Sequence, residues 1–351
     1  MTKLILVGGF LGSGKTTLLA ETARRLTSEG KSVGLITNDQ APELVDTRLL
    51  TGIGKGVSEV AGSCFCCNFN GFVEAVKSLI AQGAETIIAE PVGSCTDLSA
   101  TMMNPLKKFH PQWSLAPLSV LIDPQRLLEV NGNVESTVDP DALYIMKIQL
   151  AEADRILVSK SDLPSETEKQ TAKTLLEQKY PGKKVALISS KTGDGFDAWL
   201  SDILAASDAG STIVPVDYDR YAHGEAVLGW LNATASVAPN TDGKKLLTDV
   251  LTAFHTAILK SNWEVGHVKA TLNVSGKEWV GNLTALNGRA DVRETDAKPG
   301  GTMMTINARL QTTPESLETL VRELCATHNI TLDSLRCLMP GYPTPTHRFS
   351  S

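Results

Sequence analysis

"GGFLGSGKTTLL", residues 8–19, decides the fold. It holds Gly9, Gly14, Lys15 and Thr16 in the spacing G-x-x-x-x-G-K-[ST], after an apolar run and before a stretch with helical spacing. Glycines there let backbone N–H groups converge on phosphate oxygens, and the dipole of the following helix attracts the same anion. Lys15 is placed to reach the β and γ phosphates, and the Thr16 hydroxyl to ligate Mg²⁺. The stretch reads as a nucleotide-phosphate loop between a strand and a helix.

Working outward, short apolar runs alternate with helical periods over the first two hundred residues. Runs at 3–9, 32–38, 85–91, 118–124, 154–160 and 184–190 place Val, Ile and Leu on consecutive positions, as strands covered on both faces do. Helices are expected near 14–28, 71–82, 141–152, 165–179 and 195–206. Beyond residue 210 the pattern changes. "GHVKATLNV" (266–274) and "TMMTINARL" (302–310) alternate apolar with polar residues, which predicts a sheet with one wet face. Two amphipathic helices accompany it, one through Leu247, Val250, Leu251, Phe254 and Ile258, the other opening at Thr313-Pro314. The expected fold class is α/β, a P-loop parallel sheet with helices on both faces, plus a smaller C-terminal α+β domain. Expected domains are 1–210 and 211–340, with an irregular tail at 341–351.

The chain has 351 residues and a net charge of −6, which argues against nucleic acid as a partner because phosphate backbones need a basic face. The apolar start is too short for a signal segment or a membrane span, so a cytoplasmic protein with no membrane partner is expected. Thiols stay reduced in that compartment, where clustered cysteines more often mean metal or catalysis than disulfides.

The base is read elsewhere. "VSKSDL" (158–163) ends a strand with Lys160 and Asp162. An aspartate carboxylate accepts both N1–H and N2–H of guanine, adenine offers neither arrangement, and Lys160 would lie over the base. Ser189, Ser190 and Lys191 end the next strand, where a backbone N–H meets guanine O6. In "IIAEPVG" (87–93), Glu90 can hold the Mg²⁺ shell through water and the Gly93 N–H can contact the γ-phosphate.

"GSCFCCNF" (62–69) supplies Cys64, Cys66 and Cys67. Three thiolates suit a soft or borderline ion, zinc first, with cobalt, nickel or copper(I) open. The local spacing cannot close a four-cysteine site, so water, a carboxylate or a partner's donor must complete it. Two other readings stand beside this one: small buried apolar residues, or a redox-active pair. Cys95 is the remaining cysteine that can approach the cluster.

These motifs in this order, with "TNDQAPELVDTRLL" between the first and the cysteines, resemble the CobW-type GTPases, relatives of the urease and hydrogenase nickel-insertion GTPases. The resemblance implies GTP hydrolysis coupled to metal or metal-cofactor delivery, with zinc or cobalt as usual cargo. It also implies phosphate binding by Gly9 to Thr17 (Gly12, Ser13, Gly14, Lys15, Thr16 and Thr17 included) and Mg²⁺ at Thr16 and Glu90. By the same resemblance Cys64, Cys66 and Cys67 bind the transition metal, and Asp39 and Asp46 match acidic positions of the first mobile loop. Lys15, Thr16, Asp39 and Glu90 form the expected catalytic set, with Mg²⁺ held by Thr16, Glu90 and Asp39. The chain departs from the family's pattern in several places. Asn38-Asp39-Gln40-Ala41 stands for Asn-Glu-Phe-Gly, Ser159 for Asn, and Gly62-Ser63 for Asn-Gly, and no histidine-rich linker occurs.

The expected function is a slow GTPase metallochaperone. GTP·Mg²⁺ orders the loops at 38–50 and 62–70, hydrolysis to GDP relaxes them, and Zn²⁺ or Co²⁺ passes to a client metalloprotein. No Ras-like glutamine is identifiable, so Asp39 or the client positions the water. The alternatives are a GTP-gated reloading factor for a corrinoid or other metal-cofactor enzyme with only a structural zinc, and an ATP-dependent small-molecule enzyme. A homodimer is among the states left open.

Overall fold

The computed structural model describes residues 1–40, 45–284, 290–295 and 301–349. The chain divides into two compact units, Met1–Gln40 with Gly52–Tyr221 and Tyr342–Ser351, and Ala41–Thr51 with Ala222–Gly341.

In chain order the elements are β1 (Lys3–Gly9), α1 (Lys15–Ser28), β2 (Val33–Asp39), α2 (Val45–Leu50), β3 (Gly56–Ala61), α3 (Phe69–Ala81) and β4 (Thr86–Ala89). A π-helical turn at Ser99–Met103 leads into α4 (Asn104–Phe109), β5 (Ser114–Leu115), β6 (Ser119–Ile122), α5 (Pro124–Val130) and α6 (Pro140–Glu152). Then come β7 (Arg155–Val158), α7 (Glu166–Lys179), β8 (Lys184–Leu187), α8 (Phe196–Ala205) and α9 (Tyr218–Ala226).

The first unit's strands pair in the order β3-β2-β4-β1-β6-β7-β8, with short β5 beside β1, and every pairing is parallel. Strands β2, β4, β6 and β7 are buried at every position, and β1 at all but its first, which is why they read as unbroken apolar runs. Edge strand β3 is mostly half-buried and carries Ser58 and Glu59, so no such run marks it. Helix starts are set locally: Asn68 caps α3, Asp139 with Pro140 opens α6, and Ser165 with Glu168 forms a reciprocal capping box on α7. Because the strands are parallel, Gly9, Asp39, Glu90, Asp123 and Ser159 all emerge at the carboxyl edge of one sheet. Residues 342–349, without helix or strand, return to this unit, where the Phe349 N–H donates to the Ala100 carbonyl at 3.0 Å.

The second unit adds β9 (Gly229–Ser236), α10 (Gly243–Ser261), β10 (Val265–Val274), β11 (Lys277–Leu283), β12 (Asp291–Thr295), β13 (Met303–Leu310), α11 (Pro314–Thr327) and β14 (Thr331–Leu338). They form an antiparallel sheet ordered β12-β11-β10-β13-β9-β14. Leu247, Leu251 and Phe254 of α10 and Leu317 and Val321 of α11 pack with Val268, Leu272 and Ile306 in one core. The opposite face, expected to be wet, is not. Thr271 and Asn307 are each 1% exposed, and His267 and Asn273 are buried with them. Helix α2 packs on it, with the Val45 N–H donating to Asn307 Oδ1 at 2.7 Å, Asp46 paired with Lys269, and Arg48 paired with Glu278. Period-2 alternation records two chemically different faces, and a polar face satisfied by a docked helix reads the same as a solvated one. Among the described residues no helix is long and apolar enough to cross a membrane.

Candidate functional site

The phosphate loop links β1 to α1. Gly14 sits at the helix N-cap in the left-handed region, at φ 98°, with open space where a Cβ would point. The backbone therefore turns sharply and leaves a concave row of N–H groups at the helix start. Lys15 is buried, and its Nζ donates to the carbonyls of Gly9 (2.7 Å) and Phe10 (3.2 Å). Ser13 Oγ is buried with no hydrogen-bond partner among the described residues, a donor suited to a phosphate oxygen. Gly12 lies in the turn, and Thr17 points outward on the first turn of α1. These residues fit a nucleotide's phosphates.

Thr16 Oγ1 donates to Glu90 Oε1 at 3.2 Å, so the structure brings together the hydroxyl and carboxylate expected to share Mg²⁺. Glu90 is 4% exposed, and its N–H is held by the Ile36 carbonyl at 3.0 Å. Asp39 closes β2 at the same sheet edge, buried, its carbonyl accepting from Gly62 N–H at 3.1 Å. Of the segment after it, residues 41–44, including Ala41, lie outside the described residues. Asp46 instead belongs to the second unit, paired with Lys269. Gly93 follows Glu90 closely: a Cβ there would lie 2.7 Å from Leu11 Cδ2 and 3.0 Å from the Leu11 backbone N, so a side chain at this position would push the loop away from the phosphate loop.

The segments expected to read the base also meet. Asp162 Oδ1 accepts from Ser189 Oγ at 2.7 Å, and the Ser161 N–H donates to the Ile188 carbonyl at 3.2 Å. Ser189 Oγ further accepts from the N–H groups of Lys191 (3.3 Å) and Thr192 (3.1 Å), closing a tight turn with Ser190 half-buried at its start. Lys160 takes a left-handed backbone at φ 54°, and its Nζ lies 3.3 Å from Asp123 Oδ2.

The cysteines occupy the turn between β3 and α3, where the N–H groups of Cys67 and Asn68 both donate to the Cys64 carbonyl. This folds the three side chains together, with sulfur separations of 2.9 Å (64–66), 3.3 Å (64–67) and 3.9 Å (66–67). Tetrahedral zinc with sulfur at about 2.3 Å spaces its ligands about 3.8 Å apart, so a bound ion needs shifts of under about 1 Å. Hydrogen bonding to Cys64 and to its other neighbours pushes the Cys66 thiol well above its ordinary value, and hydrogen bonding to Cys64 pushes Cys67 up to about 11. Such thiols are protonated at neutral pH and must shed protons to bind an ion. Cys64 and Cys66 are buried, Cys67 half-exposed, and the Thr344 N–H donates to Cys67 Sγ at 3.3 Å.

One residue was not legible as functional. Asn38, buried near the end of β2, donates through Nδ2 to the carbonyls of Val60 and Ser63, each at 2.8 Å. Its Oδ1 accepts from the N–H groups of Phe65 (2.9 Å) and Val92 (3.4 Å). One amide thus holds the cysteine turn and the loop after Glu90. The sequence signals are its place beside Asp39 at a strand end and its match to the first Asn of the family's Asn-Glu-Phe-Gly, neither of which names this role.

Over 197 residues the chain is 29% identical to the "Zinc chaperone YeiR" of Escherichia coli, covering 55% of this chain and only 56% of that protein's length. Among solved structures it is similar to HypB from Helicobacter pylori in complex with nickel (17% identity, 62% of this chain, 91% of that, TM-score 0.44). It is also similar to Zn(II)-bound YjiA GTPase from E. coli (15% identity, 92% of this chain, 98% of that, TM-score 0.38). A model of the CobW/HypB/UreG nucleotide-binding domain matches residues 3–186, more than half of the chain, which therefore belongs to the CobW/HypB/UreG family.

Proposed function

We propose that this protein is a GTP-hydrolysing metallochaperone in which the nucleotide state sets the affinity of Cys64, Cys66 and Cys67 for a transition-metal ion, zinc first and cobalt second. The observation that carries the reading is Asn38, whose one side chain grips both the cysteine turn and the loop leading from Glu90 to Gly93. A shift of that loop on γ-phosphate loss moves an anchor of the thiol cluster. Family membership supports the nucleotide half, and the zinc-chaperone name of the relative in E. coli supports the choice of ion.

In this reading the phosphate loop holds GTP, Thr16 and Glu90 with Asp39 hold Mg²⁺, and Asp162 with the 189–191 turn reads guanine. Mg²⁺ would neutralise charge developing on the transferred phosphoryl oxygens. The ion passes to a client metalloprotein in the cytoplasm. Titration with GTP, ATP and zinc tests the reading: GTP is preferred over ATP, and one zinc binds per chain and is lost on replacing the three cysteines. Preference for ATP, or zinc retained without the cysteines, overturns it.

A second reading, a GTP-gated reloading factor with a structural zinc, is favoured by one observation, the near-complete burial of Cys64 and Cys66. It predicts that a chelator unfolds the first unit instead of merely emptying the site.

A further inference from the structure

Cys95 lies in the loop after β4, twenty-nine positions from Cys66, yet its sulfur stands 3.7 Å from Cys66 Sγ. That separation matches the edge of a tetrahedral zinc–sulfur site, about 3.8 Å. The loop around it is firmly built. The Cys95 N–H donates to the Val92 carbonyl at 2.8 Å, and Gln149 Nε2 donates to the carbonyls of Gly93 and Cys95, each at 2.9 Å. Cys66 and Cys95 are both fully buried, so a water ligand is disfavoured on that side of the cluster. Among the described residues, the sulfurs all within 4.8 Å of one another are those of Cys64, Cys66 and Cys67, so Cys95 Sγ touches the cluster at Cys66 and must approach at least one other sulfur by about 1 Å or more to close a tetrahedron.

We propose that Cys95 is a fourth sulfur donor to the ion held by Cys64, Cys66 and Cys67, making a site of four thiolates from two separate loops. The proposal rests on the reading that those three cysteines hold a metal. As the Cys95 sulfur bonds the ion, its proton leaves to solvent. Cys64, Cys66 and Cys67 share one turn and move together, whereas Cys95 rides two residues from Gly93, which packs against Leu11 of the phosphate loop. Withdrawal of the 91–97 loop removes one ligand and leaves a three-sulfur site that releases its ion more readily.

The test is X-ray absorption of the full chain loaded with Zn²⁺ alone, as wild type, Cys95→Ser and Cys337→Ser, with Co²⁺ as an optical probe. Four sulfurs are expected in wild type and in Cys337→Ser, whose thiol lies in the second unit. Three sulfurs and one oxygen or nitrogen are expected in Cys95→Ser. Thiolate-to-cobalt charge-transfer intensity should fall by about a quarter in that variant. Zinc affinity should fall by about tenfold or more, at least what loss of an outer-shell partner costs. A wild-type count of three sulfurs overturns the proposal, whether or not the variant folds. A count of zero overturns the three-cysteine reading beneath it, and the two failures are told apart by that number.

Discussion

The backbone N–H of Phe65 donates to Asn38 Oδ1 at 2.9 Å, so a residue near the end of β2 holds the turn that carries three cysteines. Replacing Asn38 with Ala strands the Ser63 and Val60 carbonyls and the Phe65 N–H in a buried site. Each such orphan costs about 1–3 kcal/mol. Urea unfolding of Asn38→Ala should show a loss of about 3 kcal/mol with an unchanged m-value, and zinc affinity should fall with it. Wild-type zinc affinity in a destabilised variant contradicts the anchoring role.

Asp162 and Ser189 meet at 2.7 Å, fixing the carboxylate that faces guanine N1–H and N2–H in the proposed site. Xanthine has an oxygen in place of the N2 amino group and suits an amide. Asp162→Asn should therefore lose roughly a hundredfold or more in GTP affinity and gain xanthosine triphosphate binding. Unchanged GTP affinity removes Asp162 from base recognition.

Glu152 is fully buried, and burial raises its carboxyl to about 8, with hydrogen bonds from Ser99 N–H and Thr96 Oγ pulling the other way. Its ordinary value in the unfolded chain is near 4.5. Between those values the folded chain binds more protons than the unfolded one, so stability falls as pH rises, by on the order of a few kcal/mol. Glu152→Gln should flatten the slope of unfolding free energy between about pH 5 and pH 8. An unchanged slope places the proton elsewhere.

Asp46 accepts from Lys269 Nζ at 2.6 and 2.8 Å, with both side chains only 14% exposed. Removing one partner takes the closest counter-charge from a largely buried group. Lys269→Met should cost about 2–3 kcal/mol, and adding Asp46→Leu should recover most of it. Additive losses from the two changes would show that the pair does not couple.

Much of the first unit was legible because parallel strands must be apolar along their whole length. "KLILVGG" and "DRILVSK" announce themselves, and the phosphate loop fixes which end of the sheet bears the chemistry. The rest was hidden for physical reasons. Strand β3 has Ser58 and Glu59 on an edge, and nothing in "GVSEVA" distinguishes it from a loop. The docking of α2 on Asn307 and Lys269 depends on contacts across more than two hundred residues, which no local period encodes. Cys95 and Cys66 come together because β2 pairs with both β3 and β4, so the segments leaving β3 and β4 meet across its end, a neighbour relation set by topology. Asn38 matches the first position of the family's Asn-Glu-Phe-Gly, yet its role was hidden, since it lies in four backbone groups that the fold brings around it.

Zinc affinity with a non-hydrolysable GTP analogue and Mg²⁺, set against affinity with GDP and Mg²⁺, is the measurement that decides the account. It predicts a ratio on the order of tenfold or more in favour of the triphosphate state, within the usual range of coupling between two sites. Equal affinities in the two states contradict it, and leave the cysteines and the nucleotide as independent sites on one sheet.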